Sequence, residues 1–107
     1  QLFYDYINLI REKKPLFLVV FGSTAKGTYK NESDLDILEV SNNKGIDKEA
    51  QNYVEAQTGI KLQIFRINEK QFKLELQSKN DKVVQAALET GFPVFNAKYY
   101  YEVMYHE

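Results

Sequence analysis

The stretch that most constrains this chain runs from Leu16 to Leu38. The apolar run Leu16–Phe21 reads as a strand buried on both faces. It breaks at Gly22-Ser23, where a residue without Cβ lets the backbone turn sharply and approach a ligand closely. A polar loop rich in glycine and hydroxyl residues follows. A second strand begins at Asp34 and carries a second acid, Asp36. Strand alternation puts both carboxylates on one face, roughly 6–7 Å apart. Two convergent carboxylates beside a phosphate-sized loop read as a site for a divalent metal and a triphosphate.

The other elements follow from periodicity and caps. Residues 2–14 place Phe3, Tyr6, Ile7 and Ile10 on one face of an amphipathic helix that Pro15 stops. Residues 41–45 read as a loop. Ile46, Ala50, Tyr53 and Val54 mark the inward stripe of a second helix, which exits at Gly59. Lys61–Ile67 reads as a third strand. Asn68 caps the next helix with Gln71 reaching back, and Ile67 is stapled to Phe72. Asn80 or Asp81 caps another helix, with Val84, Ala87 and Leu88 inward and Gly91 closing it. Phe92–Phe95 reads as a short edge strand because Pro93 cannot donate to an interior ladder. A Tyr-rich helix over 97–106 ends the pattern. The order α-β-β-α-β-α-α-β-α predicts an α+β fold, a small mixed β-sheet with helices packed against it.

Composition bounds the function classes. With 107 residues, 44% apolar and 14% aromatic, the chain is expected to form one domain over 1–107. A net charge of −1 supplies no basic field for free nucleic acid, while a nucleotide needs only a local positive patch. The absence of cysteine excludes a disulfide scaffold and thiolate metal sites. No apolar run approaches membrane-spanning length and no cleavable leader is visible, so a soluble, cytoplasmic protein without membrane partners is expected.

Gly22-Ser23, ten residues, then Asp34-Leu35-Asp36 resembles the signature of the nucleotidyltransferase superfamily with the DNA polymerase β-like fold. Lys26-Gly27, Ser33, Leu35 and Ile37 agree with it. Within the superfamily the chain is similar to the small minimal nucleotidyltransferases. The resemblance implies transfer of a nucleoside monophosphate from a nucleoside triphosphate, ATP being the expected nucleotide, to an acceptor hydroxyl with release of pyrophosphate. It implies Mg²⁺ or Mn²⁺ as cofactor, held by Asp34 and Asp36 as the catalytic pair. Gly22, Ser23, Lys26, Lys30 and Ser33 take the nucleotide-binding positions. Relatives usually carry a third carboxylate on the third strand, and here Gln63 stands at that position. An amide neither accepts a proton nor balances a second cation. Glu39 points to the opposite face and does not replace it.

Each piece alone has a plain structural reading, a glycine turn or a solvated acid; the constellation is what carries the chemistry. His106 sits near a chain end, where a frayed segment explains it. Tyr99-Tyr100-Tyr101 and Tyr105 read as a helix mixing core and interface rings. Lys70, Lys73 and Lys79 read as a solvated helix face. Larger relatives hold the acceptor on an appended domain, so here the acceptor is expected on another chain. The resemblance names one candidate, a small helical HEPN protein of a toxin–antitoxin pair; a homo-oligomer is the other expected assembly. The competing function is a catalytically impaired nucleotide-binding module that sequesters its partner. Gln63 favours it, while Gly22-Ser23 and Asp34-Leu35-Asp36 favour the enzyme.

Overall fold

Strands β1 (Phe17–Phe21) and β2 (Leu35–Val40) form the centre of the protein because their side chains are apolar on both faces, Asp36 and Glu39 excepted. The computed structural model describes residues 2–10, 15–22, 35–43 and 48–105, with side chains from Tyr6 onward. The remaining elements are α1 (Leu2–Ile10), α2 (Lys48–Thr58), β3 (Leu62–Ile67), α3 (Glu69–Ser78), α4 (Lys82–Thr90), β4 (Phe92–Phe95) and α5 (Ala97–Tyr105). Their order is the one the periodicity predicts. The sheet order is β3-β2-β1-β4. β1 runs antiparallel to β2 and β4, and β2 is parallel to β3 through the α2 crossover. This is the expected mixed sheet of an α+β fold, with β4 on an edge.

Alternation divides the core into two layers. Leu18, Val20, Leu35, Ile37 and Leu62 pack under Tyr6, Ile7 and Ile10 of α1 and Ala50 and Val54 of α2. On the other face, Phe17, Val19, Phe21, Leu38 and Val40 meet Phe72, Val84, Ala87 and Tyr100 from α3, α4 and α5. Phe17 joins this second layer edge-on to Phe72 and Tyr100, at 5.0 and 5.2 Å between ring centres. Each such pair adds about 0.5–1.5 kcal/mol beyond its buried area. Among the described residues, no helix is long and apolar enough to cross a membrane.

Local chemistry sets the helix ends. Asn68 Oδ1 accepts the Gln71 N–H at 2.7 Å while Gln71 Oε1 accepts the Asn68 N–H at 3.1 Å, the reciprocal box expected there. Asp81, not Asn80, caps α4, taking the Val83 and Val84 N–H groups. Ile67 and Phe72 lie in the same apolar layer, as a staple requires. Gly59 closes α2 at φ +75°.

One expectation is corrected, and one holds for a different physical reason. Tyr53 is 55% exposed, because it lies about 100° around α2 from Val54, and the small Ala50 with Val54 alone make the buried contact. Gly91 does close α4, but in extended backbone (φ −96°), so a left-handed cap is not the reason for glycine. A Cβ there would lie 2.6 Å from the Ala87 carbonyl oxygen and 2.7 Å from Val19 Cγ1 and the Val20 carbonyl oxygen. Close approach of α4 to β1 demands the glycine. Ile46, residues 11–14 and the Phe3 side chain lie outside what is described.

At the far end of the sheet, the Tyr99 hydroxyl donates to Glu69 Oε2 and ties α5 to α3. This bond, helped by Lys73 and Asn42, holds the Glu69 carboxyl below its ordinary range despite some desolvation. The same bond, with burial and nearby charge, pushes Tyr99 up to about 12. The sign follows from linkage. Glu69 stabilises above the ordinary glutamate pKa and loses this as pH falls through its depressed value. Tyr99 stabilises below the ordinary tyrosine pKa and loses this as pH rises toward 12.

The sheet also buries one acid completely. Glu39, 1% exposed, accepts from the Tyr6 hydroxyl through Oε1 at 2.8 Å and from Arg66 Nε and Nη2 through Oε2. Both oxygens are satisfied, which is what makes a buried carboxylate tolerable. Arg66→Met is expected to cost about 3–5 kcal/mol in chemical denaturation by leaving the acid uncompensated. Adding Glu39→Leu should recover most of that loss, whereas purely additive costs would refute the coupling.

Candidate functional site

The corner of the sheet where β1 ends and β2 and β3 begin gathers the described site residues. The antiparallel register sets Phe21 opposite Asp36, and the parallel register sets Asp36 beside Gln63. Laterally paired residues point to the same face on strands about 4.8 Å apart, so the three form one row across the sheet. The row lies on the face covered by α3, α4 and α5, with the Phe21 and Phe65 rings 6.0 Å apart beneath it. Asp36 is half-buried and Gln63 is exposed. The register thus puts Gln63 next to the Asp36 carboxylate.

Gly22 shapes the corner twice over. Its φ of +83° lies in the left-handed region that side chains disfavour. A Cβ at this position would stand 2.6 Å from Asp36 Oδ2, so the carboxylate occupies the space that the glycine leaves. The Gly22 N–H is directed at Thr90 Oγ1, 3.5 Å away, and the Thr90 hydroxyl donates to the Ala86 carbonyl oxygen at 2.8 Å. The end of α4 therefore braces the turn from behind, and Gly91 lets the helix come this close. Sequence reading singled out Gly91 only as a helix stop and passed over Thr90. A lone threonine late in a helix carries no pattern that would reveal its reach across 68 residues.

Ser23, Lys26, Lys30, Ser33 and Asp34 lie outside the described residues, as does His106. Glu39 faces the opposite layer, engaged with Tyr6 and Arg66, as alternation requires. Among the described residues, no group of three or more His, Cys, Asp or Glu could hold a metal ion. The donor chemistry present is a hard carboxylate, Asp36, flanked by a neutral amide. A carboxylate oxygen is the kind of hard donor that suits Mg²⁺ or Mn²⁺. Gln63 adds at most a weak oxygen ligand and no charge, so this side does not fit a second divalent ion.

Gly22→Ala is expected to destabilise the fold by about 1–3 kcal/mol, from the left-handed φ and the clash together. In an Asp36→Ala background the penalty should shrink, since the clash is relieved and only the backbone strain remains. An equal penalty in both backgrounds, measured by urea denaturation, would show that the glycine and the carboxylate are not coupled.

A family model described as polymerase beta, nucleotidyltransferase, matches residues 6–99. Three solved chains share the fold. One, from a toxin–antitoxin complex with AMP-PNP, is 18% identical at a TM-score of 0.61, over 94% of this chain and 82% of that one. A second, from a mutant of the MntA–HpeT toxin–antitoxin, is 14% identical at 0.58, over 92% and 80%. A third is from a complex of the tri-AMPylated Shewanella oneidensis HEPN toxin with its MNT antitoxin. It is 12% identical at 0.56, over 97% and 80%. No curated protein matches the chain in sequence.

Proposed function

The chain belongs to the polymerase β nucleotidyltransferase family, and on that footing we propose that it binds a nucleoside triphosphate with a divalent cation at the Gly22–Asp36 corner and transfers the nucleoside monophosphate to a hydroxyl of a partner protein. The observation that carries this reading is the glycine turn without room for a Cβ beneath a carboxylate oxygen. That arrangement brings bare backbone and a hard anionic ligand to one point at a sheet corner. In this reading residues 1–107 act as one nucleotidyltransferase-like domain, ATP is the nucleotide and Mg²⁺ or Mn²⁺ the ion. The absence of cysteine suits a reducing, cytoplasmic setting.

Asp36, with Asp34, would hold the cation, while Ser23, Lys26, Lys30 and Ser33 line the phosphates. A cation held there would neutralise charge building on the leaving group. The acceptor hydroxyl oxygen bonds to the α-phosphorus as the bridging bond to pyrophosphate breaks, and its proton passes to solvent. Asp36 is fixed for this task by the ladder on both sides and by Gly22 beneath it. The solved chains with this fold come from toxin–antitoxin complexes, one holding a HEPN toxin that carries AMP groups. By analogy, the partner proposed here is a small helical HEPN-type protein that supplies the acceptor hydroxyl. A second reading, favoured by the neutral Gln63 beside Asp36, is a nucleotide-binding module that sequesters the same partner with little or no transfer.

Nucleotide binding is tested first. A nucleoside triphosphate with Mg²⁺ or Mn²⁺ should raise the melting temperature, with about 2.7 kcal/mol of stabilisation at ~100 times the dissociation constant. Asp34→Asn with Asp36→Asn should abolish the rise without unfolding the chain, and an unchanged rise would place the ligand elsewhere. Transfer is tested next, by mass spectrometry of this chain and its co-purified partner after incubation with nucleotide and metal. Gln63→Glu or Gln63→Asp, whichever restores the geometry, should raise transfer at least about tenfold, about 1.4 kcal/mol of barrier. Fast wild-type transfer slowed by both substitutions would show that Gln63 does not mark a missing carboxylate. Nucleotide binding without transfer in any variant would leave the sequestering module.

A further inference from the structure

The start of β3 is held unusually firmly for an edge strand. The Leu62 N–H donates to Glu55 Oε2 at 2.6 Å, and the Leu62 carbonyl oxygen accepts from Gln51 Nε2 at 2.8 Å. The Leu62 side chain, 4% exposed, is locked into the layer under α1 and α2. One residue earlier, the Lys61 carbonyl oxygen accepts the Leu35 N–H at 2.8 Å, so the ladder to β2 continues through Lys61. With Leu62 fixed toward one face, alternation places Lys61 and Gln63 on the other, the face of Asp36. Both are exposed. Glu55, the acid that reaches this strand, is already engaged with Leu62 and Gln51. Among the described residues, Lys61 makes no ion pair.

The third strand thus offers the site a cation and a neutral amide, and no acid. A single divalent ion on the aspartates leaves a bound triphosphate with net negative charge. A second divalent ion would offset it only where anionic ligands hold that ion. We propose that Lys61 is a phosphate-binding residue whose ammonium supplies that positive charge, so that the site takes one divalent cation per triphosphate. This rests on the nucleotide-binding reading above and deepens it. Lys61 is tethered to the sheet by its backbone on the Asp36 face, and its side chain is long enough to reach a phosphate bound there. The Gln63 amide N–H groups donate beside it.

The experiment titrates a non-hydrolysable ATP analogue into the 107-residue chain with Mn²⁺, reads affinity by calorimetry and counts bound Mn²⁺ by electron paramagnetic resonance. Wild type should bind one Mn²⁺ per nucleotide. Lys61→Gln should weaken the analogue about tenfold, Lys61→Arg should retain it, and Gln63→Glu should raise the count to two. Because Lys61 is exposed, the variants should melt as wild type does without ligand, which separates charge from folding. Two Mn²⁺ in wild type, or an unchanged affinity in Lys61→Gln, overturns the inference. If the analogue binds wild type and is lost in Asp36→Asn but not in Lys61→Gln, the inference alone falls. If it does not bind wild type at all, the nucleotide-binding reading falls with it.

Discussion

The site depends on a missing atom. Because Gly22 has no Cβ, the chain turns through a left-handed conformation and leaves a space that Asp36 Oδ2 fills. Any side chain at position 22 would push the carboxylate out of its row with Phe21 and Gln63. Gly91 does the equivalent on the other side of β1, allowing the end of α4 to touch Val19 and Val20. Thr90, between them, reaches the Gly22 amide. The end of β1 is therefore pinned to β2 through one glycine and to α4 through another. A close-packed interior transmits such constraints because its elements have little room to relax.

β2 shows how parity alone assigns different fates to two acids. Asp36 and Glu39 are three residues apart, so alternation sends them to opposite faces. Asp36 comes out at a sheet corner, half-buried and next to an exposed amide. Glu39 enters the core, where Tyr6 and Arg66 donate to its separate oxygens. One carboxylate lies at the corner beside Gly22, and the other fastens α1 to the sheet.

Much of this was legible in the sequence because short-range rules agreed with one another. The Asn68–Gln71 box, the Asp81 cap and the continuous apolar run of β1 each follow from a few neighbouring residues, and each is present. That Gln63 belongs near Asp36 came from the family resemblance, since strand parity sets faces but not which strands pair. What escaped depended on tertiary packing. Tyr53 fits the helical stripe by spacing, but how close α2 comes to the sheet decides which residues are covered. Gly91 stands where a left-handed cap belongs, yet its reason is a neighbour 71 residues earlier, the Val20 carbonyl oxygen. The Thr90 contact has no local signature. Lys79, without glycine's freedom, ends α3 in the left-handed region because Glu75 takes the N–H groups of Asn80 and Asp81.

The strand order has a consequence for how the molecule assembles. β1, β2 and β3 lie side by side in the order in which they occur, and they contain the paired row Phe21, Asp36 and Gln63, with Gly22 next to its end. β4 alone returns to the far side of β1, pairing Phe95 with Leu18. Closing a loop costs entropy that grows with the logarithm of its length, so this last pairing is the dearest in chain entropy and the slowest to be repaid. The Asp36–Gln63 corner can be laid out by the first three strands. The α4 brace behind it, with Thr90 and Gly91, completes only when the C-terminal third of the chain has come home.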